Sequence, residues 1–440
     1  MTRWLILLSI LLAPGARCCC VWDRDTLNSE VKGLEAVQEV LTGKVERFPA
    51  AYYEMRLERM RAAVKRDRYD FPAYDDAAVA LDRLSRFDEA LDWMEQKRLA
   101  LQDALDGRIP EGHRFNDKSR LREQLHRKYV NEASFALHRW MAGGAKRERV
   151  DDISAARAMM VQARELNSRF GAERYLLIFI DWIIQGERPE ANRLLPDALN
   201  LRFADKTALG DNSTLKDKGL DDCFTALASL IRGSEHWENV DLFYTLSLAF
   251  AVDGKQSLSY MARLRAFELI DQGKRSMVPE SPAGDELKKL LIPVRLESGR
   301  LLEIKALGDD ARREVEEEFQ RRRDFARRWN EARMAHMETN LGLGMHPDLD
   351  PRFWSNFQPP TYLPRELPRP EARPEVPAAA SGQERGPGSS LPAAQAAPVP
   401  AAQEAIPLGT WMLMLGGRLV FVVLVGAVWF LRNPGRESRP

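Results

Sequence analysis

Cysteine is scarce in this chain: four residues in 440, three of them adjacent at Cys18, Cys19 and Cys20, with Cys223 alone. That excludes a disulfide-built scaffold, and side-by-side cysteines cannot wrap one tetrahedral ion. Histidine is almost as rare. The six (His113, His126, His138, His236, His336, His346) show neither metal-ligand spacing nor an HExxH arrangement. A P-loop, a dinucleotide fingerprint and a GxSxG elbow are all missing. Sixty-five basic residues balance 65 acidic ones, so no net field argues for nucleic acid. Alternating β-branched runs are absent as well, which argues against a sheet-based fold. No catalytic residue, metal site or cofactor is expected from these lacks.

Long apolar runs are also few, and they sit at the ends. After Arg3, the run from Trp4 to Ala13 is too short to span about 30 Å of hydrocarbon, and small residues follow it. A basic start, a short apolar core and small residues read as a signal peptide over 1–20. Cys18, Cys19 and Cys20 then straddle the cleavage zone, with a lipid on one of them or a pairing with Cys223 as alternatives. Near the other end, 408–431 is long enough to cross a bilayer and carries one charge, Arg418. Arg418 costs about 2.5–3.5 kcal/mol near the centre, while each Leu, Val or Phe returns about 0.3–0.6, and thirteen are present. Arg432, Arg436 and Arg439 make 432–440 a short basic tail, so the bias of positive charge leaves the tail cytoplasmic and the body exported.

What fills the middle is apolar residues at helical spacing. The hydrophobic fraction of 45% and charged fraction of 30% suit a globular body over 21–357. Segments such as "AAYYEMRLERMRAAVKRD" and "GAERYLLIFIDWIIQG" place apolar residues three and four apart. Breaks fall at turn signals such as Phe48–Pro49 and Gly143–Gly144. The expected fold is all-α, about a dozen helices. Twelve of the 25 prolines then crowd into 358–407 with Ala, Gln, Gly and Ser, a composition too poor in apolar groups to fold. It reads as a disordered stalk.

"FPAYDDAAVALDRLSRFDEALDWMEQKRLALQD" is the most informative stretch. A first helix presents Tyr74, Ala77, Ala78 and Leu81, a turn follows at Leu84–Ser85–Arg86, and a second helix presents Phe87, Ala90 and Met94. Small Ala78 and Ala90 let two helix axes approach while the large residues fill the surroundings. The pattern resembles the tetratricopeptide repeat, with "SRFDEAL" similar to its turn and second helix. The chain departs from that family at Ser85 (turn glycine), Lys97 (late small residue) and Gln102 (closing proline). A second unit lies over 240–273, with Phe243, Leu246, Ser247 and Phe250 in the first helix, Gly254 at the turn, and Ser259 and Ala266 at small positions. A third is traced by Ala156, Met160 and Ala163. The chain is also similar to exported bacterial tetratricopeptide proteins. The resemblance implies stacked helix–turn–helix units forming an α-solenoid.

In such a stack the first helices line the concave face. Helical spacing then puts Asp75, Val79, Asp82 and Arg83 on it as protein-binding candidates over the 71–104 unit. The equivalent face of the second unit, Tyr244, Leu248, Ala251 and Val252, is greasy: another helix buries it, or an apolar partner does. The pairs Asp75–Asp76, Asp151–Asp152 and Asp221–Asp222 read as helix-start carboxylates rather than acid/base groups. The last helix, 309–338, holds eight acids and eight arginines between Asp309 and Arg333, with only a thin apolar stripe. It reads as a solvated cap on the solenoid, or as a surface for a homo-oligomer. The functional expectation is a non-enzymatic, single-pass membrane scaffold that binds unidentified cell-envelope proteins. The alternatives are an envelope enzyme on a helical fold and a self-associating structural spacer.

Overall fold

The computed structural model describes residues 33–167, 173–187, 195–201, 213–253, 255–292, 294–297, 300–303 and 309–362. The expected leader, Cys18, Cys19 and Cys20, Gly254, most of the proline-rich segment and the apolar run at 408–431 lie outside them. Among the described residues no helix is long and apolar enough to cross a membrane.

The described chain is helical, as its periodicity dictates. The first half holds α1 (Gly33–Leu41), α2 (Ala50–Arg66), α3 (Phe71–Arg83), α4 (Phe87–Leu105), α5 (Lys118–Ala142), α6 (Val150–Leu166) and α7 (Glu173–Gln185). The second holds α8 (Ser213–Asp217), α9 (Cys223–Gly233), α10 (Val240–Val252), α11 (Gln256–Asp271), α12 (Gly284–Leu290) and α13 (Asp309–Gly342). One antiparallel hairpin was not expected: β1 (Val294–Glu297) pairs with β2 (Arg300–Glu303), Val294 opposite Glu303. "VRLESGRLLE" has little β-branching, so the pairing of the two segments, and not propensity, makes these strands.

Many helices adjacent in sequence are also adjacent in space, whereas α1 packs on α9 and α11. α2 packs on α3, α3 on α4, α4 on α5, α5 on α6, α6 on α7, and α10 on α11. The α3/α4 connection is only Leu84–Ser85–Arg86, which forces an αα-hairpin. Ser85 there adopts φ +59°, the left-handed conformation that the repeat family meets with glycine.

Two apolar cores result. The first gathers Leu57, Phe71, Tyr74, Ala77, Ala78, Leu81, Ala90 and Met94 from α2, α3 and α4. The second draws on α1, α6, α7 and α9 to α12, with Phe243, Leu246, Phe250 and Ala266 among its members. α5 borders both: Leu121 and Phe135 join the first core, Leu137 and Trp140 the second. Ala156, Met160 and Ala163 of α6 are fully buried, as their spacing predicts.

The final helix does more than cap one end. α13 packs on α11 and returns to α2. Arg323 donates to the Thr42 carbonyl at 2.8 Å, Asn330 to the Gly43 carbonyl at 2.8 Å, and Arg333 to the Arg47 carbonyl at 2.5 Å. Beyond it, Phe353 is buried with Tyr52, Met337 and Leu341. The ordered body also continues past 357: Tyr362 donates to Glu318 at 2.7 Å and meets Phe325 edge-on. Ion pairs along α13 form at Glu317–Arg321 (3.8 Å), Glu318–Arg322 (2.6 Å) and Asp324–Arg327.

Candidate functional site

The chemistry-bearing groups that converge in this molecule do so inside it. Asp75, Val79 and Asp82 are 1%, 2% and 1% exposed, and Arg83 is mostly buried. The expectation that they line an open concave face is therefore corrected. α3 is sandwiched among α2, α4 and α5, and eleven of its thirteen residues are buried.

Asp75 faces Lys97 on α4. Lys97 donates to both Asp75 oxygens at 2.7 Å and to Gln124 Oε1 at 3.1 Å, which occupies its three protons. Asn131 of α5 donates to Asp75 Oδ1 at 3.0 Å. Burial pushes the Asp75 carboxyl up and the Lys97 ammonium down, and their mutual contact opposes both shifts. Desolvation of two charges is repaid only by good geometry and added hydrogen bonds. Here both are present, and the group ties three helices together. The position where the repeat family carries a small residue thus holds a buried cation.

Two helical turns further along α3, Asp82 accepts His138 Nδ1 at 2.9 and 3.1 Å and Arg83 Nη1 at 2.7 Å. Arg83 also donates to the Gly233 carbonyl at the end of α9. The His138 ring lies 5.1 Å from that of His236, which in turn lies 5.5 Å from Phe87. Burial alone would raise the Asp82 carboxyl, but His138 and Arg83 hold it below the usual carboxylate range. Burial, reinforced by His138, pushes His236 down to about 3. His138 Nε2 is buried and has no hydrogen-bond partner among the described residues. An imidazole oriented by a carboxylate is the arrangement of a general base, yet both groups are fully buried. Two open pockets are lined by other residues. Geometrically, this layer joins α3 and α5 to the α9 end of the second core.

A third cluster closes the C-terminal loop onto α2. Asp348 accepts Arg59 at 2.8 Å and Tyr52 at 3.2 Å, with Arg56 at 3.4 Å. His346 stacks on Tyr52 with ring centres 4.7 Å apart, and its Nδ1 meets Arg59 at 2.9 Å. Burial, and then the Arg59 charge, push His346 down to about 4.

The remaining expected residues fall into place by burial. Tyr74, Ala77, Ala78, Leu81, Phe87, Ala90, Met94, Phe243, Leu246, Phe250 and Ala266 are all core residues. The greasy face of Tyr244, Leu248, Ala251 and Val252 is covered, since all thirteen α10 residues are buried. Asp151 and Asp152 stand in the first turn of α6, where a carboxylate suits the helix dipole. Asp75 and Asp76 do not cap, being tied into the core, and Asp222 accepts Arg174 and Tyr175 rather than a helix N–H. Cys223 is a free, buried thiol pushed up to about 12 by burial. No group of three or more His, Cys, Asp or Glu among the described residues is placed to hold a metal.

Sequence reasoning missed Lys97, Gln124, Asn131, His138 and His236 as partners. A signal existed for Lys97: it sits between Met94 and Leu101 on the apolar stripe of α4, where a charge has to find a buried partner. Compared with family models, with curated proteins and with solved structures, the chain matches none.

Proposed function

We propose that this chain is an exported, single-pass membrane scaffold whose tetratricopeptide-like helical body binds other cell-envelope proteins and catalyses no reaction. The observation that carries the reading is the use of the charged groups. The convergent carboxylates, lysine and histidines tie helices to one another, which favours a rigid binding platform over a reaction centre. Sequential packing of helix pairs such as α3/α4 and α10/α11 supports the repeat character. Export, the stalk at 358–407 and the anchor at 408–431 rest on composition and charge bias.

The test is to cross-link the full-length chain mildly in its native membranes, purify it and identify what accompanies it by mass spectrometry. A near-stoichiometric second protein is the expected result. Recovery of the chain alone would sink the scaffold reading in favour of a self-associating spacer. An enzyme is the competing reading, favoured by the Asp82–His138 pair. It requires that His138→Gln abolish an activity while leaving the fold intact.

A further inference from the structure

We propose that the groove beside the C-terminal half of α2 docks an acidic, leucine-bearing segment of the partner protein; this rests on the scaffold reading above. The groove measures about 730 Å³. Its apolar lining comes from Met60, Ala63 and Leu349, its charge from Arg59, Lys65 and Arg66.

Leu349 is 64% exposed, one of the few large apolar side chains of the described body that face water. It is not there through slackness. Its N–H donates to the His346 carbonyl at 3.0 Å, the Asp350 N–H to the same carbonyl at 2.9 Å, and the Asp348 N–H to His346 Nδ1 at 3.2 Å. Arg59, Arg56 and Tyr52 hold the Asp348 carboxylate in turn. A side chain displayed from a locked turn loses little freedom on binding, which is what a preformed docking point needs.

The cations separate into two kinds. Arg59 is engaged by Asp348 and His346, so its charge is answered inside the molecule. Lys65 and Arg66 are exposed and have no acidic partner among the described residues. The acids that follow them are already taken: Asp67 by His113 and Asp70 by Arg114. Basic residues in a last helical turn favour the helix dipole wherever they stand. That role does not account for an apolar trough and a rigid exposed leucine beside them. The complement of two unanswered cations flanking an apolar trough is a segment with carboxylates beside an apolar side chain.

The experiment uses the full-length chain in nanodiscs of zwitterionic lipid and a fluorescent Leu/Glu-rich peptide, with its Leu/Lys counterpart as control, read by anisotropy. The acidic peptide should bind and the basic one should not. Lys65→Glu with Arg66→Glu should weaken the acidic peptide about tenfold or more and create binding of the basic peptide, and added salt should weaken both. Leu349→Ser should weaken binding about fivefold or more without changing the circular dichroism. Acidic-peptide binding that ignores the charge reversal, or its absence, overturns the proposal. Binding of the chain to phosphatidylglycerol vesicles through Lys65 and Arg66, with no peptide binding, also overturns it and reassigns the surface to lipid. The two readings fail separately. A partner that cross-links equally to the wild-type and charge-reversed chains removes the groove but keeps the scaffold, whereas no partner at all removes the scaffold.

Discussion

Helices α3 and α10 have the same length, thirteen residues, and nearly the same burial, yet they are held in opposite ways. α3 takes three aspartates, Asp75, Asp76 and Asp82, into the interior. Asp75 and Asp82 meet directional partners on α4 and α5. α10 is mostly apolar, with Ser247 hydrogen-bonded to Ser259 at 3.2 Å, and Phe250 stacks flat on Phe224 with ring centres 4.5 Å apart. Its one carboxylate, Asp241, is pushed up to about 6 by burial and accepts the Met277 N–H at 2.7 Å. Apolar burial alone fixes depth but tolerates rotation and sliding. Ion pairs and hydrogen bonds at 2.7–3.0 Å fix register.

Breaking that comparison gives the largest effects. Asp75→Ala leaves Lys97 buried and unpaired and should cost about 3–5 kcal/mol in urea unfolding followed by circular dichroism. The paired change Asp75→Leu with Lys97→Met should recover most of it, because removing both charges also removes their desolvation. If the double variant is as unstable as the single, the pair is not what makes Asp75 necessary. Phe250→Ala should cost a similar amount, about 3–5 kcal/mol, through the cavity it leaves. Unlike the Asp75 change, it has no charged partner whose removal should rescue it.

Acid sharpens the contrast further. His346 and His236 are pushed down by burial to about 4 and about 3, below the ordinary value near 6.5. Between about pH 6.5 and about pH 4 the unfolded chain therefore binds protons at these sites that the folded chain refuses. The stability these two histidines contribute is complete above about 6.5 and falls as pH drops through that window. Asp82 and Asp348 are held low, so their contribution disappears only below the ordinary carboxylate range near 3.9. The melting temperature should therefore fall between about pH 7 and about pH 5, opposed in part by Asp241, raised by burial, and by His126, raised despite its burial by the Glu173 beside it, and His346→Gln should flatten the slope. A melting temperature independent of pH across that interval would contradict the burial argument. The smallest effect concerns the α3/α4 turn. Ser85→Gly relieves a left-handed φ and should raise stability by up to about 1 kcal/mol, measurable as a shift in the urea midpoint.

Much of this architecture was legible before any coordinates. Three- and four-residue spacing marked the helices, "SRFDEAL" marked the α3/α4 hairpin, and the small residues Ala78 and Ala90 were placed in a shared core. The candidate site was legible only in part. Asp75 and Asp82 stood out, but their side was misjudged, because a helix buried on nearly all faces has no apolar stripe to say which side is outward. Repeat geometry assigned them a surface, while α5, a helix from outside the unit, covers them with Asn131 and His138.

By itself the sequence determined most of the helical segments, their breaks and the buried apolar positions that share a face, since periodicity and turn chemistry act within a few residues of chain. The partners of buried charge were decided by the tertiary structure alone. Lys97 reaches Asp75 across 22 residues, His138 reaches Asp82 across 56, and Arg333 reaches the Arg47 carbonyl across 286. A long polar side chain can satisfy itself on any acceptor the fold brings near, and a backbone carbonyl carries no side-chain identity to read. Only packing the helices together settles which of the possible partners is met.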